Sequence, residues 1–314
     1  MQLNSSGIAP IVLILIIAVV TTLVVTYNQA GKSKTFLAPS PSPSPLLSPS
    51  PSPSPSSTST PTPTPTPIST SSPTPQSSPT PKPSATTSSG VNSGGNIQTE
   101  QGSFRATVVT LPISAQMITD TANDSDCAAD CPVKPLAEYI NHFGGYAGIH
   151  GTYTCPADYA DCAAKKNSFD FSVYNSRLNK WINEGNLGWG GRSMVYQDNG
   201  GAYHYRQDAG RADGIRAGIV NYPGILNNGH ITVEGGSLSA KQSSKGTKGG
   251  IGFNDSNIFL VVAYNVDMYD FAAVFKALGA KYALNLDGGG SIALYSGGYK
   301  AGPGRALPNA VVFK

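Results

Sequence analysis

The run Asn285-Leu-Asp-Gly-Gly-Gly-Ser291 sets a carboxylate directly before three consecutive glycines and a hydroxyl. Glycine reaches backbone angles closed to other residues and lets a ligand approach the main chain. Successive N–H groups in such a turn can form a concave nest for an anion. Asp287 beside that nest would serve as nucleophile, base or metal ligand. No Lys-Ser/Thr follows and the spacing differs, so the run is not a nucleotide P-loop. A flexible glycine turn capped by an Asp has the same composition, and the residues alone leave both readings open.

The elements that must position this run are legible around it. Residues 258–264 form a continuous apolar stretch that reads as a strand. Asp267 can cap a helix in which Phe271, Val274, Phe275 and Leu278 repeat at i, i+3, i+4, i+7, and Gly279 ends it. Residues 282–286 read as a second strand and 292–295 as a third short one. Strand, helix, strand is a crossover unit, expected parallel and right-handed. Asp287 then sits where a strand leaves the sheet, the usual edge for ligand chemistry.

Upstream, residues 104–111 read as the first strand. Asp130-Cys-Pro opens a helix that puts Val133, Leu136, Ile140 and Phe143 on one face. YAGIHGTY reads as a short strand running into a glycine turn. Between 169 and 233 the runs RSMVYQ, AYHYRQ and HITVEG, separated by Gly and Asn pairs, read as antiparallel strands and hairpins. The expected fold class is α+β: a single globular domain over 103–314, on a mixed β-sheet with a C-terminal βαβ unit.

The first hundred residues cannot build a core. Residues 8–26, IAPIVLILIIAVVTTLVVT, carry no charge, and at helical rise they cover roughly 29 Å, the thickness of a bilayer interior. A cleaved signal peptide is the alternative. No Lys or Arg precedes the run and no small-x-small site follows it, so residues 1–30 are expected to stay as a transmembrane anchor. Lys32 and Lys34 alone would place the C-terminal side inside. Two lysines are outweighed by the features of an exported protein that follow.

Residues 31–102 read as a disordered Pro/Ser/Thr-rich linker. Between 39 and 83, 17 of 45 residues are proline, which favours polyproline II and a stalk reaching roughly 140 Å. Cys127, Cys131, Cys155 and Cys162 match no common zinc spacing and are expected to form two disulfides, with the pairing left open. Net charge is +3 with 12% charged residues and no basic cluster, which argues against nucleic acid as a partner. A surface rich in Tyr, Asn, Ser and Thr suits carbohydrate.

ALNLDGGGS, followed by GRALPNAVV, resembles the terminal signature of the phosphodiester glycosidase family. Upstream, KGTKGGIGF and GIHGTYTCP resemble two further segments of that family in the same order. The resemblance implies a pocket of Asn285, Asp287, Gly288, Gly289, Ser291, Arg305 and Asn309. The family's usual Arg falls on Lys248, and its usual Asn falls on His150. It further implies hydrolysis of the bond between a sugar's anomeric carbon and phosphate.

In that reaction the departing phosphate monoester is already a good leaving group, so binding its charge and stabilising an oxocarbenium-like state dominate. Lys248, Arg305 and the nest of Gly288, Gly289, Gly290 and Ser291 would take the phosphate. Asp287 would act at the reacting carbon as nucleophile, base or electrostatic partner, with Asn285 a further catalytic residue and His150 protonating the leaving phosphate or holding water. Asn309 and Gly151 would contact the substrate.

Asp213 and Glu234 are candidates for a second carboxylate by polar context only. His142 reads as a boundary residue, Trp181 and Trp189 as core, and Tyr203 to Arg206 as a strand with one wet face. No cofactor is called for, with a divalent metal left open. The expected substrate is a glycan phosphodiester at the cell surface, with the membrane as the anchor's partner. A non-catalytic glycan-binding module and a metal-dependent phosphodiesterase are the competing readings.

Overall fold

The uncharged run over Asn257–Val266 forms a strand buried on both faces, and the rest of the domain is laid around it. It pairs antiparallel with Gly102–Pro112 on one side and with Gly246–Phe253 on the other. The computed structural model describes residues 90–233 and 237–314. The proposed anchor and stalk, residues 8–26 and 39–83, and Glu234 therefore lie outside the described residues. Among the described residues no helix is long and apolar enough to cross a membrane.

Seven strands make the large sheet, in the order Gly90–Thr99, Gly102–Pro112, Asn257–Val266, Gly246–Phe253, Tyr282–Gly288, Gly224–Asn227, His230–Ile231. Asp267 caps the helix Met268–Ala277 as expected. Its carboxylate accepts the N–H groups of Tyr269 and Asp270, while the Asp270 carboxylate accepts the N–H of Asp267. The helix lays Phe271 and Phe275 on the sheet where Gly250 and Gly252 have no side chain. A Cβ at Gly250 would stand 3.1 Å from the Phe271 ring, and one at Gly252 would stand 2.7 Å from the Phe275 ring. Gly250 and Gly252 of KGTKGGIGF are in that respect packing residues.

The chain then returns as Tyr282–Gly288. Gly246–Phe253 is antiparallel to both Asn257–Val266 and Tyr282–Gly288, so those two strands run parallel with one strand between them. This is the expected crossover. Direct pairings between the named strands are all antiparallel, so the sheet expected to be mixed is an antiparallel one in which the crossover joins strands one place apart.

A five-stranded sheet, Tyr299–Ala301, Leu294–Ser296, Ala147–His150, Asn309–Phe313, Met117–Thr121, packs on the face opposite the helix. A third sheet of five runs Lys180–Ile182, Val173–Asn175, Ile215–Asn221, Ser193–Asp198, Tyr203–Arg206. One apolar cluster, including Ile251, Leu284, Ile149, Val311 and Ile219, is shared by all three sheets.

Three expectations are corrected. Gly90–Thr99 is a strand paired with Gly102–Pro112, so the sheet begins inside the stretch read as linker. Its Gly, Asn and Ser content reads as loop, but pairing along a strong neighbouring strand overrides composition. The strand expected at 292–295 is Leu294–Ser296 and joins the second sheet beside Ala147–His150, not the crossover sheet. The helix expected from residue 130 is Leu136–Phe143, beginning after Pro135, with Tyr139 joining Leu136 and Ile140 in the buried face. Two disulfides form, Cys127–Cys131 and Cys155–Cys162. They indicate an oxidising, extracytoplasmic compartment.

Candidate functional site

Tyr282–Gly288 leaves the large sheet at Asp287, and the second sheet catches its main chain. The Asp287 N–H donates to the Gly151 carbonyl at 3.0 Å. The Asp287 carbonyl accepts from His150 Nε2 at 2.8 Å. With Nε2 the donor, His150 Nδ1 accepts the Ala293 N–H at 3.2 Å. The imidazole is fully buried, which pushes its pKa down to about 4 and keeps it neutral. Its position is kept open by Gly249, where a Cβ would overlap the ring. His150 is therefore spent on positioning the Asp287 peptide unit, and the expected role as acid to a leaving phosphate is not available to it.

The Asp287 carboxyl is held by the turn that follows. Oδ1 accepts the Gly288 N–H at 2.8 Å, and the carboxyl also takes hydrogen bonds from the Ser291 hydroxyl and the Thr154 N–H. Burial raises its pKa to about 6, against the lowering effect of those bonds and of Arg305. A carboxyl titrating near neutrality, bonded within a glycine turn and under the field of Arg305, suits acid–base work.

Within the turn Gly289 is left-handed, φ 56°. Gly290 must lack a side chain because the Arg305 guanidinium occupies that space. The Arg305 N–H donates to the Gly290 carbonyl at 2.8 Å. Its guanidinium pairs with Asp158 at 3.0 Å and lies over the Tyr159 ring, 5.7 Å to the centroid. Asp158 and Tyr159 belong to the loop closed by Cys155–Cys162, so the disulfide helps to seat the cation beside the turn.

Asn285 is buried, and its Nδ2 donates to Tyr153 Oη at 2.7 Å and to the Tyr222 carbonyl at 3.2 Å. Asn221 braces this corner, donating to the Asn285 carbonyl while its Oδ1 accepts the Thr152 hydroxyl. Asn309 Oδ1 accepts the Thr152 N–H at 2.9 Å, and its Nδ2 is buried without a partner.

The structure thus brings Asp287, Asn285, Gly288, Gly289, Gly290, Ser291, Arg305, Gly151 and Asn309 together, with His150 beneath. It does not bring Lys248 to them through its side chain. Lys248 Nζ donates to the Ser244 carbonyl at 3.2 Å and the Lys241 carbonyl at 3.4 Å, and burial lowers its pKa. Asp213 stands exposed in the turn before Ile215–Asn221, apart from the residues gathered around Asp287.

The strand Tyr203–Arg206 spends its aromatics on packing: Tyr203 on Phe253, Tyr205 on Tyr282, and His204 stacked on Tyr196. Trp181 packs edge-on against Tyr174, as a core residue would. Trp189, read as core, instead stays 41% exposed. Sequence reasoning missed Tyr153, Thr154, Asn221, Asp158 and Tyr159. Only the placement of Tyr153 and Thr154 inside GIHGTYTCP pointed to them.

A cleft of about 510 Å³ opens beside this corner, walled by Tyr153, Phe171, Arg192, Asp208, Tyr222 and Gln242 among others. Asp287 is not in its wall. Asp287 is two residues along the strand from Asn285, which holds Tyr153 of that wall.

Gly151 is squeezed between strands. A Cβ there would overlap the Asn309 side chain and approach its main-chain oxygen to 2.6 Å. Gly151→Ala is expected to lower unfolding free energy by about 1–3 kcal/mol, read as a lower denaturant midpoint with unchanged slope.

The model of the phosphodiester glycosidase family matches residues 163–314. The catalytic domain of zebrafish N-acetylglucosamine-1-phosphodiester alpha-N-acetylglucosaminidase, auto-inhibited by its pro-peptide, is similar in fold with TM-score 0.55 and 14% identity. The match covers 72% of this chain and 82% of that one. A hypothetical protein from Synechocystis is similar with TM-score 0.50 and 14% identity, over 70% of this chain. The chain spans 61% of the length of that protein. No curated protein matches by sequence.

Proposed function

We propose that this chain, whose residues 163–314 match the phosphodiester glycosidase family, hydrolyses the glycosyl–phosphate bond of sugar-1-phosphodiesters in extracytoplasmic glycans. The family supports a hydrolase acting on phosphodiester-linked sugars. One observation carries the finer reading: a buried carboxyl, Asp287, titrates at about 6 beside a glycine turn and the Arg305 guanidinium.

Ionised Asp287 takes a proton from water as the water oxygen bonds to the anomeric carbon. The bond from that carbon to the phosphate oxygen breaks, and its electron pair leaves on the phosphate monoester. Arg305 and the turn's N–H groups hold the growing charge. His150 and Gly151 fix the Asp287 peptide unit throughout. The substrate glycan belongs to an envelope or exopolysaccharide, and residues 8–26 and 39–83 anchor and space the domain at the cell surface. The disulfides are consistent with that side of the membrane.

The full chain incubated with an N-acetylglucosamine-1-phosphodiester is expected to yield N-acetylglucosamine and the aglycone's phosphate monoester. Sugar 1-phosphate as the product would replace this reading with a phosphodiesterase that cuts on the aglycone side. The absence of Asp287 from the cleft wall favours one other reading, a glycan-binding module. Tight binding with no release across a panel of sugar phosphodiesters would establish it.

A further inference from the structure

The cleft beside Tyr153 carries a charge that the proposed reaction leaves unused. Arg192 stands in its wall with its guanidinium against three rings: 5.5 Å from the centroid of Tyr222, 5.6 Å from Phe171 and 5.9 Å from Trp189. Such contacts hold the guanidinium plane fixed without neutralising it. Nη1 donates to the Gly190 carbonyl at 2.9 Å, and Nε is buried without a partner. Among the described residues no carboxylate lies within ion-pair distance of Arg192, whereas Arg177 has two and Arg211 and Arg305 one each. A preorganised cation with unspent donors in a concave wall is a site for an anion.

The remaining wall selects a kind of anion. Tyr222 and Phe171 line the cleft, and aromatic rings are surfaces against which the C–H face of a sugar packs. Asp208 accepts the Gly191 N–H with Oδ1, leaving its carboxylate able to accept sugar hydroxyls. At the inner end Tyr153 Oη accepts two amide N–H groups, from Asn285 at 2.7 Å and Gln242 at 3.3 Å. Its own O–H is then the donor left over, and burial, which raises its pKa to about 12, keeps that proton in place. The cleft volume, about 510 Å³, lies within the usual range for small-ligand sites.

We propose that this cleft is a subsite for an anionic saccharide unit, one bearing a carboxylate or phosphate, with the charge on Arg192, the ring against Tyr222 and Phe171, and a hydroxyl or bridging oxygen on Tyr153 O–H. The occupant is the part of the glycan that continues past the bond at Asp287, so the natural substrate carries negative charge on more than its phosphodiester. The identity of that occupant rests on the proposed function, whereas the binding of a charged sugar in the cleft does not and is measured without turnover. A chain that binds but does not hydrolyse would overturn the hydrolase reading and leave this one standing.

Calorimetric titration of the full chain with glucuronic acid, glucose 1-phosphate and glucose tests it. Both charged sugars are expected to bind at least tenfold more tightly than glucose. Arg192→Gln is expected to abolish that preference and Arg192→Lys to keep part of it, while Arg105→Gln, outside the cleft wall, retains it. Equal affinity of the wild type for charged and neutral sugars overturns the proposal without any variant. So does a preference that survives Arg192→Gln, or one that is lost only in Arg305→Gln, which would place the anion at the glycine turn.

Discussion

Replacing Asp287 by Asn is expected to lower kcat about 10²- to 10⁴-fold on a sugar-1-phosphodiester, with KM changed far less. The amide fills the same volume and can still accept one of the bonds from Gly288, Ser291 and Thr154, so binding and fold persist. What disappears is the group that takes the proton from water. In the wild type kcat should rise with pH through about 6, because the ionised carboxyl is the working form and burial holds its pKa there. A variant retaining more than a tenth of wild-type kcat would remove Asp287 from the chemistry.

The same substitution should stabilise the fold. Raising Asp287 from its ordinary 3.8 to about 6 means that the folded protein holds this proton more tightly than the unfolded chain. That stability is complete below pH 3.8 and is lost as pH rises through 6. At pH 7 the wild type therefore bears a cost on the order of 3 kcal/mol for burying the carboxylate. Asp287→Asn escapes it, so the variant should be more stable than wild type by up to that amount at pH 7, with the gain shrinking to nothing near pH 4.

His150 works in the opposite sense. Its folded pKa of about 4 lies below the ordinary 6.5, so stability present above pH 6.5 is lost as pH falls toward 4. In the wild type the two groups offset between pH 4 and 6. In the variant the histidine acts alone, and stability should climb with pH across that window. Denaturant titrations at pH 4, 5.5 and 7 read all of this. A variant less stable than wild type at pH 7 would mean that the carboxylate is adequately solvated or paired in the native site.

The end of the chain was readable because its residues agree with one another. Asp267 is an unambiguous cap, Phe271 and Phe275 mark one helix face, and the strands either side are continuous apolar runs. These signals place Asp287 at a strand end from the sequence alone. The strand Gly90–Thr99 was not readable, because nothing in GVNSGGNIQT prefers a strand until Gly102–Pro112 offers it a ladder.

The roles within the site failed in a consistent way. His150 and Lys248 have side chains whose type suggests catalysis, but a residue type says nothing about what the side chain is spent on. His150 is consumed by the main chain of Asp287 and Ala293, and Lys248 by the carbonyls of Lys241 and Ser244. Asp158 and Tyr159, which seat Arg305, are distant from it in sequence and become its neighbours only through the fold.

Hydrolysis in ¹⁸O-labelled water tests the central claim most directly, by mass analysis of both products. Attack at the anomeric carbon puts the heavy oxygen on the released sugar and none on the phosphate monoester, which is the result expected. Label found in the phosphate would mean that water attacks phosphorus, and would contradict the chemistry assigned to Asp287.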